Sequence, residues 1–262
     1  ASFGRNRKKL AIGIYPLEEI KLPITFLAMK PEEIKFQPLD FPKEINGRQI
    51  LSQHPTGREY AHLLKGSEFF PVFKDANNNI LSMPPIINSE KTGRISEKTK
   101  NIFIECSGFN KNYLDKTLNI IVCALADMGG KIYQMEIEDI KDGSCLSPDL
   151  SFDKIEFSVD YVNKNLGLKL DLKQIINLLS KMGIDVEKSS KSSKSDSDLT
   201  ALIPPYRTDL LHKIDLVEEV AIAYGYDNFE PDISNASTIG KEDEMSIFRK
   251  KNCRYSYRSW FN

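Results

Sequence analysis

The chain has 262 residues, 40% hydrophobic and 28% charged, a composition that fits a globular fold able to bury one or two cores. Thirty-six basic against 37 acidic residues leave a net charge of -1, so any polyanion contact must come from a local patch. No apolar run approaches the roughly 20 residues of a membrane span, and the basic start ASFGRNRKKL lacks the apolar stretch of a secretory signal.

The chain does not begin with Met, and we expect a piece of a longer protein. The four cysteines are widely spaced without a CxxC pair, and there are three histidines. That argues against zinc or a disulfide framework and for buried free thiols in a reducing cytoplasm.

The first half reads as mixed α and β. KKLAIGIY (Lys8 to Tyr15) is a β-type run closed by Pro16, and the three prolines between Pro31 and Pro42 predict extended loop. Tyr60, Leu63 and Leu64 have helical spacing before Gly66. Phe70 to Lys74, the turn DANNN and Ile80 to Met83 form a predicted hairpin. NIFIE (Asn101 to Glu105) reads as a strand. Leu114, Leu118, Ile121, Val122 and Leu125 mark one face of a helix, and KIYQMEIE (Lys131 to Glu138) reads as the next strand, the order of an α/β unit.

DGSCLSPDLS (Asp142 to Ser151) has little periodicity and predicts a domain boundary. Beyond it KIEFSVD (Lys154 to Asp160) reads as a strand, and Asp171 as the N-cap of a helix through Met182. The serine-rich KSSKSSKSDSD (Lys188 to Asp198) predicts a flexible loop, and Asp215 to Asn228 a helix ended by Gly225. The tail RKKNCRYSYRSWFN interleaves basic and aromatic residues. That pattern could suit single-stranded RNA, but at a chain end the expected reading is a disordered or truncated tail.

Two groups of residues could carry chemistry. Asp209, Asp215, Glu218 and Glu219 follow Pro204, Pro205 and Arg207, with Asp215 three and four positions before the two glutamates, so these three share a helix flank. Oxygen ligands alone suit Mg²⁺, whereas an acidic helix start paired with Arg207 or Lys213 explains the same residues without metal. Ser82, Asn88, Glu105 and Ser107 cluster where predicted strands end and could line a small polar pocket. No Ser/His/Asp arrangement is legible, and His54 is expected to serve its own turn, HPTGREY. There is no P-loop, GxGxxG or repeat.

LSMPPIINSEKTGRISEKTKNIFIECSG, NIIVCALADMGGKIYQMEI and IPPYRTDLLHKIDLVEEVAIAYGYDNFEP resemble the β subunit of phenylalanyl-tRNA synthetase of the archaeal and eukaryotic type, over about Arg5 to Glu244. The resemblance implies an α/β (α+β) fold. A mixed-sheet editing domain at 1–147 would precede a small winged-helix-like domain at 152–229 and a truncated, poorly ordered segment at 230–262. The editing domain of that family hydrolyses tRNA(Phe) mischarged with tyrosine. By its pocket positions, Phe73 would be an apolar wall, with Ser82, Glu105 and Ser107 the polar lining and catalytic candidates.

The resemblance also implies Mg²⁺ at Asp209, Asp215, Glu218 and Glu219, and partnership with the α subunit and tRNA(Phe). It further implies tyrosine as editing ligand, a cytoplasmic location without membrane, and ATP used by the whole heterotetrameric enzyme rather than by this chain. The family turn E-C-T-G-T-D reads E-C-S-G-F-N here, so Ser107 keeps a hydroxyl while Phe109 and Asn110 replace a second hydroxyl and a carboxylate. The other expectation is a non-catalytic scaffold that binds tRNA or the α subunit.

Overall fold

The computed structural model describes residues 4–140, 143–188, 198–231 and 240–259. The described residues divide into two compact units, 1–223 and 224–262. In the first unit the chain runs through β1 (Leu10–Pro16), β2 (Thr25–Met29), β3 (Lys35–Phe36), β4 (Ile45–Asn46), α1 (Gly47–Gln53) and α2 (Pro55–Tyr60). There follow β5 (Phe70–Lys74), β6 (Ile80–Met83), β7 (Ile87–Asn88), α3 (Glu90–Gly93), β8 (Ile102–Gly108) and α4 (Lys111–Asp127). β9 (Met135–Asp139) and β10 (Gly143–Ser147) come next.

The predicted hairpin forms as β5 and β6, and Asp75 builds its turn by accepting from Asn77 N at 2.9 Å and Asn79 N at 2.8 Å. Asn78 takes a left-handed φ of 64°, a conformation that asparagine tolerates. β2-β5-β6-β7 make one antiparallel sheet, and β1 pairs with β8 in another. The main core collects Ile34, Phe36, Ile50, Phe70, Val72, Met83 and Ile86 from strands, loop and α1. His54 caps α2: its Nδ1 accepts from Gly57 N at 3.3 Å, which leaves Nε2–H to donate to Leu39 O at 3.0 Å.

Three expectations change here. The order strand, helix, strand around α4 does not make a parallel α/β unit, because β8 pairs antiparallel with β1 and β9 pairs with β10. β10 lies within the stretch Asp142 to Ser151, inside the first domain as expected to end at 147, and the fold is α+β with antiparallel pairing throughout the described sheets. On α4 the predicted apolar stripe is largely half-buried, while Thr117 and Asn119 are among its buried positions. The thiols are free as expected, but Cys106, Cys123 and Cys145 are only partly buried and Cys253 is exposed.

The rest of the unit holds β11 (Asp153–Ser158), α5 (Val159–Leu166), α6 (Leu172–Lys181), β12 (Asp185–Lys188), β13 (Asp198–Ile203) and α7 (Lys213–Tyr224). Three helices and the antiparallel sheet β11-β13-β12 give the small α+β arrangement expected after residue 152. Asp171 closes a capping box with Gln174 at the start of α6. Phe157, Val162, Ile175, Leu179, Leu199, Ile203, Leu216 and Val220 form the buried apolar set of these elements. The loop predicted from serine content lies, at 189–197, outside the described residues.

In the second unit Glu244–Ser259 forms the helix α8, within the stretch expected to be a truncated, poorly ordered segment. Asp243 Oδ2 accepts from Ser246 N at 3.1 Å, and Lys250 pairs with Glu242, so local capping and charge pairing support the turn.

Candidate functional site

Strand pairing gathers the predicted pocket residues. Phe73 of β5 stands directly opposite Ser82 of β6, so both side chains share one face, and the Phe73 ring packs on Phe26 with centroids 4.7 Å apart. On β8 Glu105 and Ser107 are two residues apart and therefore share a face, opposite Gly13 and Ala11 of β1. Tyr15, two residues beyond Gly13, joins that face and lies across from Phe103.

The Tyr15 hydroxyl joins the two sheets. It donates to Ser82 Oγ at 2.7 Å and reaches toward Glu105 Oε1 at 3.3 Å. Tyr15 is fully buried, Ser82 2% exposed, and Glu105 and Ser107 each 8% exposed. Glu105 Oε2 is buried without a hydrogen-bond partner. Burial pushes the Glu105 carboxyl up to about 8, only partly offset by the Tyr15 and Ser107 hydroxyls. At neutral pH the group is therefore mainly a carboxylic acid, able to donate as well as accept.

Two residues of the cluster were not singled out in the sequence. Tyr15 was read as the end of an apolar strand. Gly13 supplies room: a Cβ there would lie 2.4 Å from both Glu105 Oε1 and Tyr15 Oη. The available signal was the alternation Ala11, Gly13, Tyr15, which puts a small residue and a phenol on one strand face.

The altered turn leaves the cluster intact. Asn110 caps α4 by accepting from Tyr113 N at 3.2 Å, and Phe109 is 95% exposed. Neither side chain competes for the buried groups. Asn88 stands opposite Ser82 in β7. An open cleft of about 470 Å³, lined by Arg48, Arg58, His62 and Lys65 among others, lies elsewhere and contains none of the predicted pocket residues.

The acidic group is arranged differently from a metal site. Arg207 donates to Asp209 Oδ1 and Oδ2 at 3.0 and 2.8 Å, and to Glu219 Oε1 at 2.6 Å. This hydrogen-bonded guanidinium holds the Asp209 carboxyl below its usual range. Asp215 Oδ2 accepts from His212 N at 2.7 Å and Leu211 N at 2.8 Å, the back-bond of a carboxylate in a helix's first turn. Those amides lower the Asp215 pKa. Glu218 is exposed, while Glu219 is buried against the arginine.

Among the described residues no group of three or more His, Cys, Asp or Glu is placed to hold a metal. The expected Mg²⁺ set of Asp209, Asp215, Glu218 and Glu219 does not fit this arrangement. Its charge is met by Arg207 and by backbone N–H groups, as in the metal-free explanation of the same spacing.

Residues 155–226 match the tRNA synthetase B5 domain. The phenylalanine–tRNA ligase beta subunit of Methanococcus aeolicus is 40% identical over 245 residues, 93% of this chain and 43% of that protein. Its counterpart from Pyrococcus horikoshii is 41% identical over 247 residues, 94% of this chain and 43% of the relative. A crystal structure of an N-terminal fragment of the Pyrococcus horikoshii phenylalanyl-tRNA synthetase beta subunit superposes with a TM-score of 0.80 at 42% identity. That match covers 86% of this chain and 62% of the other.

Over nearly its whole length the chain is similar to phenylalanine–tRNA ligase beta subunits. It spans less than half the length of the curated relatives it matches. No helix among the described residues is long and apolar enough to cross a membrane.

Proposed function

We propose that this chain is the editing part of a cytoplasmic phenylalanine–tRNA ligase beta subunit and hydrolyses the ester of tRNA(Phe) mischarged with tyrosine. The whole enzyme, with its α subunit and ATP, would attach phenylalanine to tRNA(Phe). The need is physical: a pocket that accepts phenylalanine by apolar contact rejects an isostere with one more hydroxyl only weakly. A second pocket with buried polar groups selects that hydroxyl, because phenylalanine would leave those groups unpaired.

The reading rests on one observation. Ser82 and Glu105 jointly hold a phenol hydroxyl, that of Tyr15, in a place closed to water. Phe73, on the face of Ser82, would supply the apolar wall, and Ser107, on the face of Glu105, a further hydroxyl. Glu105, mainly protonated at neutral pH, is suited to reading a hydroxyl rather than to removing a proton from water. In the reaction a water oxygen attacks the ester carbon, the bond to the terminal ribose oxygen breaks, and that oxygen takes the proton.

The test is deacylation of Tyr-tRNA and Phe-tRNA by the chain beside Glu105→Ala. Tyrosine should be released faster than phenylalanine, and the substitution should remove the difference. Equal release by parent and variant would refute the pocket. A second reading, a non-catalytic scaffold for tRNA or the α subunit, is favoured by the closure of the same groups around Tyr15. It predicts a folded chain that binds tRNA but releases neither amino acid.

A further inference from the structure

We infer that Tyr15 is a resident occupant of the phenol-reading site and must leave its place before the side chain of a mischarged tyrosine can enter. The inference rests on the editing reading for its ligand, but on the cluster's geometry for its substance. Ser82 Oγ and Glu105 Oε1 are the polar groups that would recognise a substrate phenol, and both already face the Tyr15 hydroxyl, at 2.7 and 3.3 Å.

The chain is shaped for this contact. Gly13 stands across from Glu105, and any side chain there would strike both Tyr15 Oη and Glu105 Oε1 at 2.4 Å. The Tyr15 ring lies 6.0 Å from that of Phe103, centroid to centroid, and none of its surface reaches solvent. Two phenol hydroxyls cannot share one position between Ser82 and Glu105. Entry of a substrate ring therefore exchanges one phenol for another of nearly equal hydrogen-bonding strength. Glu105 Oε2, buried and unpartnered, is the atom left to gain a bond when the occupant changes.

This makes Tyr15 a residue that sets selectivity. A phenylalanine side chain offers no hydroxyl to replace the one it would displace, and so would leave Ser82 and Glu105 without partners. A tyrosine side chain repays the exchange in kind. Tyr15 thus raises the threshold for entry of any ligand while penalising the cognate amino acid more.

The experiment uses the full chain, Tyr15→Phe, Tyr15→Ala, and Tyr15→Ala combined with Ser82→Ala, with p-cresol and toluene as probes followed by NMR titration. Tyr15→Ala should bind p-cresol at least tenfold more tightly than the parent does and at least tenfold more tightly than it binds toluene. Adding Ser82→Ala should abolish that preference. A simple cavity left by any buried tyrosine would take both probes alike, and that result would overturn the inference. So would parent chain that binds p-cresol as tightly as Tyr15→Ala.

Should Tyr15→Ala not fold, Tyr15→Phe carries the test through deacylation. It keeps the ring but removes the competing hydroxyl, so the KM for Tyr-tRNA should fall several-fold, and an unchanged or higher KM overturns the inference. Phenol-selective binding by Tyr15→Ala without release of tyrosine from tRNA by any variant would sustain the occupancy of the site and refute editing.

Discussion

Glu105 is the residue on which the chemistry proposed for the pocket and the stability of the chain meet. Its proton is held in the folded chain up to about pH 8, whereas an ordinary glutamate releases it near 4.5. Between those values the folded state binds more protons than the unfolded state, so stability present at pH 4.5 is lost progressively as pH rises to 8. Cys106, pushed up to about 12 by burial and by the neighbouring Glu105, and Tyr15, raised further mainly by burial, stay neutral across that window. Glu105→Gln should therefore become more stable relative to the parent by on the order of 3 kcal/mol from pH 5 to 8, read from urea unfolding at each pH. A constant difference would mean that the carboxyl titrates normally. Gly13→Ala tests the same contact from the other strand. The added methyl must push aside Tyr15 or Glu105, and overpacking of this kind costs about 1–3 kcal/mol. A melting temperature equal to the parent's would show that the space beside Glu105 is not fully used. That Ser82, Glu105 and Ser107 lie near one another was legible because each falls near a predicted strand end, while the pocket roles proposed for them come from the family likeness. Gly13 and Tyr15 were not legible. The contact between Tyr15 and Ser82 spans 67 positions of sequence and depends on two sheets meeting, which no local pattern encodes.

At the scale of elements, local signals with a mechanism gave the right local structure, and pairing partners were the part they could not supply. The DANNN turn and the Asp171 capping box are set by side chains bonding to amides a few positions away. The choice of β1 as the partner of β8 joins positions as far apart as Leu10 and Gly108, which is not local, and the expectation of an α/β unit failed for that reason. The acidic stretch behaves similarly. Spacing alone left metal and ion pair open, and the family likeness favoured metal. Tertiary placement of Arg207 against Asp209 and Glu219 instead gives an ion-pair cluster. Glu219 is 6% exposed, so removing its partner leaves a buried charge without compensation. Arg207→Met should cost about 3 kcal/mol of unfolding free energy, mostly insensitive to salt. A loss below about 1 kcal/mol, or one erased by salt, would place the pair among exposed ion pairs that contribute little.

At the scale of the whole molecule, most of the buried apolar side chains among the described residues fall into two sets. One is built by residues 34–86 on the strands and helices beside the pocket. The other, from Phe157 to Ala221, belongs to the three helices and three strands of the B5 region. Polar contacts such as Asn119 Nδ2 donating to Asp149 O at 2.8 Å and the Lys116–Asp153 ion pair lie at the passage from one set to the other. Residues 1–223 nevertheless form one compact unit, so proximity alone does not separate them. We propose that the energetic boundary lies at 148–151, because a cooperative unit needs its own buried apolar core and each side has one. Expressed separately, residues 1–151 and 152–231 should each unfold in a single urea transition, and the intact chain should show their two midpoints within a small shift of the separate values. The first piece alone should retain the pH dependence assigned to Glu105, since every group that faces that carboxyl lies within it. If neither piece folds, the junction contributes as much as the cores do, and the pocket would depend on the B5 region for its shape. In that event deacylation by the first piece should be absent even though Ser82, Glu105 and Tyr15 are all present in it.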